Sequence, residues 1–238
     1  MVEKFLPVGR FNSLRSSDPV LLLSGPPSSG KTSLLFQFAI NSATESREGN
    51  VVFICNRRKL ETKPPYLAQG IDPFSDSTIF ERIQMKYIED EEGIKKYFAA
   101  FHMHNNPAPV SVIIDDFADF FNEGKCQEKY NNNRGKDLAM VRVLALCKNA
   151  MMYANQKGSL PCQLLLSDTH YHSDSPRLLY IYKRWVSSIY TIKADGFGSY
   201  LIRSSSNNFA RAKTAKYSIA LQYLVVEDIT ENEEQLDE

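Results

Sequence analysis

The stretch Leu21-Leu22-Leu23-Ser24-Gly25-Pro26-Pro27-Ser28-Ser29-Gly30-Lys31-Thr32 restricts what this chain folds into more than any other. An apolar strand, Val20 to Ser24, runs into the pattern G-x-x-x-x-G-K-T, and Ser33 to Ala43 reads as a helix. Glycines between a strand and a helix permit a backbone path on which successive N–H groups converge. The result is an anion nest at the positive end of the helix. In this context the pattern is a Walker A phosphate loop. Gly25, Pro26, Pro27, Ser28, Ser29, Gly30, Lys31, Thr32 and Ser33 are therefore the candidate phosphate-binding residues. Lys31 is placed to reach the β- and γ-phosphates, and the Thr32 hydroxyl to ligate Mg²⁺. The implied ligands are ATP and Mg²⁺.

A chain of 238 residues fits one α/β domain, and an apolar fraction of 43% fills a large core. Lys and Arg number 28, as do Asp and Glu, so no net field draws the protein to nucleic acid or membrane. Any DNA contact must come from a local basic patch. The four cysteines, Cys55, Cys126, Cys147 and Cys162, show no metal-binding spacing. Cys55 and Cys162 lie in apolar runs and read as small core residues of a reducing compartment. The start, Met1-Val2-Glu3-Lys4-Phe5, has no long apolar region, and no run approaches the ~20 residues of a membrane span. These features point to a cytosolic or nuclear chain with no membrane partner.

Residues 1–18 read as a lead-in segment, 19–226 as the core, and the acidic residues 227–238 as a disordered, solvated tail. Within the core, Val51 to Cys55 is a continuous apolar run of the kind found in central parallel strands. Asn56 to Asp76, with Arg57-Arg58-Lys59 and Pro64-Pro65, reads as a long surface loop. Ile83 to Tyr87 alternates as a strand with one wet face, and Glu91 to Met103 carries helical spacing. Phe117 to Gly135, acidic and Asn-rich, reads as a mobile connection. Asp137 to Gln156 is a long amphipathic helix, Gln163 to Leu166 a short strand, and His170 to Arg184 a polar, Tyr-rich connection. Ser188 to Lys193 and Ser199 to Arg203 form a hairpin about Asp195-Gly196, and Ala215 to Val226 is a last β segment. The architecture expected is a three-layer αβα sandwich, mainly parallel, with antiparallel C-terminal hairpin strands.

The apolar run Val110 to Ile114 ends in Asp115-Asp116 and fits a Walker B strand. A carboxylate at that strand end holds Mg²⁺ beside the phosphate loop, which makes Asp115 the metal-side acid. Asp116 is either a helix N-cap or turn residue, or a catalytic base. Lys31, Asp115 and Asp116 are thus the candidate catalytic side chains. Single-stranded DNA needs cations along a groove with aromatic stacking partners. Tyr171, Arg177, Lys183 and Arg184 offer these after the fifth strand, and Arg203, Arg211 and Lys213 offer a second basic segment. His102-Met103-His104 and His170-Tyr171-His172 lack a third ligand at suitable spacing and read as ordinary histidines.

With these residues in hand, the chain resembles the eukaryotic recombinase paralogues of the RecA superfamily from Leu21 to about Val226. Within them it is most similar to the RecA-like ATPases that associate with SWIM-domain proteins in the Shu complex. Gly25 to Phe38, Val52 to Leu60 with Ile71-Asp72-Pro73, and Glu81 to Tyr87 carry that resemblance. It implies a RecA-like fold, a nuclear role in homologous recombination, and a heterodimer with a SWIM-domain zinc-binding protein. It also implies single-stranded DNA binding in support of recombinase filaments. One departure stands out. Recombinases place a water-activating glutamate just after the second core strand, where this chain has Arg57. The γ-phosphate sensor after Leu164-Leu165-Leu166-Ser167 is Asp168, Thr169 or His170 rather than glutamine. Firm ATP binding with slow hydrolysis is the expectation. The competing readings are a P-loop kinase acting on a small molecule or nucleotide, and a non-hydrolysing scaffold.

Overall fold

The computed structural model describes residues 2–7, 19–46, 48–69, 71, 77–104, 107–122, 129–130, 132–158, 160–170, 178–196, 198–205 and 212–232. The strands are β1 (Val20–Gly25), β2 (Val51–Cys55), β3 (Ile83–Tyr87), β4 (Ser111–Ile114) and β5 (Gln163–Thr169). They continue with β6 (Ser188–Ala194), β7 (Ser199–Ser205), β8 (Ala212–Ala220) and β9 (Tyr223–Asn232). The helices are α1 (Lys31–Glu45), α2 (Arg57–Thr62), α3 (Ser77–Phe80), α4 (Glu91–Ala99), α5 (Phe101–His104), α6 (Asn133–Lys157) and α7 (Leu179–Trp185). All nine strands join one sheet in the order β3-β2-β4-β5-β1-β6-β7-β8-β9. Neighbours from β3 to β6 are parallel, and those from β6 to β9 antiparallel.

Two apolar clusters, one on each face, make three layers. Along β1 the pleat sends Val20 and Leu22 into one cluster and Leu21 and Leu23 into the other. The first cluster holds Ile94 and Phe98 of α4, Phe101 of α5, Val143 and Cys147 of α6, and Tyr182 of α7. The second holds Leu34, Leu35 and Phe38 of α1. Because both faces are covered, the central strands tolerate unbroken apolar runs, which is why β1, β2 and β4 were legible. Among the described residues, no helix is long and apolar enough to cross a membrane.

Several boundaries differ from the sequence reading. Residues 2–7 of the lead-in are docked: Val2, Phe5 and Leu6 are buried, and the Asn41 side chain donates to the Lys4 and Leu6 carbonyls at 2.9 and 3.0 Å. Asn56 to Asp76 is not all loop. The Asn56 side chain accepts from the Arg58 and Lys59 amides and starts α2, a cap that needs no apolar periodicity. The connection after β4 begins as a 3-10 turn, Phe117–Phe121, whose Phe117, Phe120 and Phe121 are buried. Asn132 caps α6 through the Gly135 amide, starting that helix four residues ahead of the expected Asp137. The polar connection after β5 contains α7. The segment Ala215 to Val226 is two strands, β8 and β9, reversing at Leu221 and Gln222 with φ of 50° and 65°. That turn geometry usually carries Gly or Asn, so it left no mark in the sequence. β9 then continues to Asn232, six residues past Val226 and into the expected tail.

Candidate nucleotide-binding site

The phosphate loop follows β1 at the carboxyl edge of the parallel strands, where open α/β sheets receive ligands. Ser28 and Gly30 have φ of 60° and 75°, the left-handed turns that bend the loop around on itself. A Cβ on Gly30 would stand 2.6 Å from Ile219 Cδ1, and one on Gly25 would stand 2.8 Å from Ile192 Cβ. Gly30 is therefore required by the left-handed turn of the loop, and Gly25 by the Ile192 Cβ packed against it.

Lys31 is 7% exposed and curls over the loop, donating to the Pro26 carbonyl at 2.8 Å and the Gly25 carbonyl at 3.3 Å. Burial lowers its pKa, opposed by the fields of Asp116, Asp115, Asp168 and Asp119. The Thr32 hydroxyl donates to Asp115 Oδ2 at 2.8 Å, which joins the two motifs across 83 positions of sequence. β5 lies between β1 and β4 and supplies the bridge. Ser167 donates to Asp115 Oδ1 and accepts from the Asp116 amide, each at 2.8 Å. Thr169 donates to Asp116 Oδ1, also at 2.8 Å. Burial, reinforced by the charge on Asp116, raises the Asp115 pKa to about 6; its bonds to Thr32 and Ser167 work the other way.

Asp116 sits at the head of the 3-10 turn with φ 50°, and its side chain makes no capping bond. Its carboxylate turns instead toward Thr169 and toward Lys59 Nζ, 3.8 Å away, so the side-chain cap reading of Asp116 does not hold. Of the three sensor candidates, Thr169 lines the cleft. Asp168 and His170 are buried, His170 with Nδ1 2.9 Å from Ser24 Oγ. Arg57 is exposed, bonded to Glu61 at 2.8 Å and lying over the Tyr87 ring.

The cleft measures about 840 Å³ and is lined by Pro27, Ser28, Gly30, Lys31, Thr32 and Ser33 on one side. Arg58, Lys59, Asp116, Asp119 and Thr169 are among the residues that line the rest of it. Pro26 belongs to the loop through its carbonyl, and Ser29 is buried, its hydroxyl donating to that carbonyl at 2.8 Å. The Ser33 hydroxyl accepts from the Tyr66 amide at 2.9 Å. An anion nest, a threonine hydroxyl and an adjacent strand-end carboxylate are the donor set that a metal-bound polyphosphate requires.

Sequence reasoning missed the tyrosines that hold the loop. The Tyr217 hydroxyl, on β8, donates to the Ser29 carbonyl at 2.6 Å, and that of Tyr200, on β7, to the Ser28 carbonyl at 3.3 Å. Their rings stack at 5.5 Å. Tyr217 stands 188 positions from Ser29, and only its place in the last β segment was visible. Phenylalanine at 217 leaves a buried carbonyl without its donor, an expected cost of about 1–3 kcal/mol. The melting temperature should fall by roughly 2–10 °C; an unchanged melt would show that the clasp carries no stability.

The DNA candidates scatter. Tyr171, Arg177 and Arg211 lie outside the described residues. Lys183 and Arg184 are exposed in the last turn of α7. Arg203 pairs with Thr214 in the β7–β8 ladder, so the next residue, Lys213, points to the opposite face, where it meets Glu3 at 2.7 Å. Arg203 and Lys213 do not form one basic surface.

No protein-family model matches the chain. Over 108 residues it is 31% identical to ATPase SWSAP1 of Homo sapiens and, over a like span, 28% identical to ATPase SWSAP1 of Mus musculus. The similarity covers 45% of this chain, and 44% and 37% of those two proteins, so the chain matches less than half the length of these curated relatives. Parallel strands extended by an antiparallel wing are what the resemblance to recombinase paralogues required of the sheet, and kinase-type sheets lack that wing. That topology is the RecA-like fold, and over the matched 45% of its length the chain is similar to ATPase SWSAP1.

Proposed function

We propose that this chain is an ATP-binding accessory protein of homologous recombination with slow hydrolysis. The observation that carries the nucleotide reading is the 2.8 Å bond from Thr32 to Asp115, which brings the loop and the strand-end acid together. Thr32 and Asp115 would hold Mg²⁺, whose chemistry there is to neutralise charge on the phosphates. Lys31 and the loop amides orient the polyphosphate. Slow turnover is supported by the second-strand exit: Arg57 faces solvent, and the nearby Glu61 is taken up by it. Among the described residues the carboxylates lining the cleft are Asp116 and Asp119, and Asp116 is the remaining candidate base. A placed base contributes about 10²–10⁴-fold.

The name of the two relatives supports the ATPase assignment, and the resemblance to recombinase paralogues supports the rest. In this reading the chain pairs with a SWIM-domain zinc-binding protein in the nucleus, binds single-stranded DNA and assists recombinase filaments. A scaffold that binds ATP without turning it over is the second reading, favoured by the Arg57–Glu61 pair. The test is affinity purification of the chain from nuclei, followed by DNA binding and turnover assays on the purified complex. A SWIM-domain protein and recombinase components should co-purify, and affinity for single strands should fall steeply between 50 and 200 mM salt, a range of roughly 10-fold or more for several phosphate contacts. Recovery without either partner would sink the recombination role. Turnover equal to that of a full recombinase would sink the slow-hydrolysis assignment.

A further inference from the structure

α2 leaves the carboxyl end of β2, which β4 and β5 separate from the phosphate-loop strand β1, and turns Lys59 back over the strand ends. Its Nζ donates to Asp119 Oδ2 and stands 3.8 Å from Asp116 Oδ2. Asp116 in turn accepts from Thr169, and Asp115 beside it accepts from Thr32. Lys59, Thr169, Asp116 and the loop face one cleft. Burial opposes the charge on Lys59, but the bond to Asp119 and the fields of Asp119, Asp116 and Asp115 outweigh it, so the group stays cationic. Its side chain is 47% exposed and the Asp119 side chain 38%. A pair that open, on a flexible four-carbon stem, is held weakly and moves readily to a denser anion.

We propose that Lys59 is a specificity-determining residue that leaves Asp119 for the terminal phosphate of a bound nucleoside triphosphate, so that the site prefers triphosphate to diphosphate. This rests on the nucleotide reading above. The loop and Lys31 surround one end of the polyphosphate, and the line Thr32, Asp115, Asp116, Lys59 runs from them toward β2. A diphosphate ends at the loop and leaves Lys59 with its carboxylates. A triphosphate extends along that line and presents more than one negative charge to the ammonium. The exchange also frees Asp119 and unloads Asp116, leaving Asp116 to Thr169.

The experiment measures Mg-ATP and Mg-ADP affinity by calorimetry on the full chain and three variants. Wild type should bind ATP more tightly than ADP. Lys59→Met should weaken ATP by about 10-fold, the value of one charge-assisted contact, and leave ADP within about 2-fold. Lys59→Arg should keep the preference. Asp119→Asn should tighten ATP by about 3-fold, because the ammonium no longer has to leave a carboxylate; a pair that merely holds the fold would weaken it instead. Equal losses for ATP and ADP in Lys59→Met, no loss in either, or weaker ATP binding in Asp119→Asn would overturn the assignment and spare the nucleotide reading. Wild type that binds neither nucleotide would overturn both.

Discussion

Alanine at position 31 is expected to weaken Mg-ATP binding by about 100-fold or more while leaving the fold standing. Lys31 is buried at the loop, and its ammonium already rests on the Pro26 and Gly25 carbonyls. It has shed most of its water, so a phosphate would meet a desolvated and oriented charge. Hydrogen bonds to charged groups contribute about 1.5–3 kcal/mol each, and two orders of magnitude need about 2.7 kcal/mol. Each carbonyl keeps a second donor, the His170 amide at 3.2 Å for Gly25 and the Ser29 hydroxyl at 2.8 Å for Pro26, so the melting temperature without nucleotide should move little. Calorimetric titration with Mg-ATP settles the point. A Lys31→Ala protein that binds as wild type does would remove the loop from the site.

Asparagine at position 115 should do two opposite things: stabilise the ligand-free protein near neutral pH and abolish the Mg²⁺ dependence of nucleotide binding. The Asp115 carboxyl is packed beneath Thr32 and Ser167 and faces Asp116, and these surroundings raise its pKa from 3.8 to about 6. A carboxyl raised on folding favours the protonated form. Its full contribution to stability is therefore present below pH 3.8 and is lost as pH rises through 3.8 to 6. The ionised group then costs on the order of 1–3 kcal/mol, a cost that the neutral amide avoids. The amide keeps one acceptor for Thr32 and offers Ser167 a donor. Thermal melts from pH 4 to 8, without metal, should show the wild-type and variant curves converging at low pH and separating above 6. A variant less stable than wild type at pH 7.5 would mean the lost acceptor outweighs the relieved charge. Such a trade of stability for a charged site is common where a protein keeps an acid poised for a ligand.

The acid at 115 was legible because an apolar strand ending in paired carboxylates is a local pattern. The bonds from β5 to it and to Asp116 were not, and Thr169 is legible only as one of three sensor candidates. Ser167 and Thr169 lie on a strand read only as far as Leu166, and nothing in their spacing links them to Asp115 or Asp116. The turn at Leu221-Gln222 escaped for a different reason: two non-glycine residues hold left-handed conformations that sequence assigns to Gly or Asn. α2 and α6 start on asparagine caps, a signal present in the sequence but weaker than the surrounding polar texture. Arg57 reads from the sequence as a departure from a glutamate, and only the structure shows it facing solvent over Tyr87 with Glu61.

By itself, then, the amino-acid order determined the strand-loop-helix unit around Gly30, the buried central strands and the strand end that carries Asp115. Each depends on forces acting within a few residues: which side chains permit a positive φ, and which runs are too apolar to meet water. Tertiary structure alone decided that Tyr217 clasps Ser29, that Thr169 holds Asp116, and that Lys59 stands over Asp116 and Asp119. Those side-chain contacts join residues 53 to 188 positions apart, Lys59 and Asp116 being 57 apart. Their partners are brought together by the sheet order, which is set by packing two apolar faces at once and leaves no periodic trace in the chain.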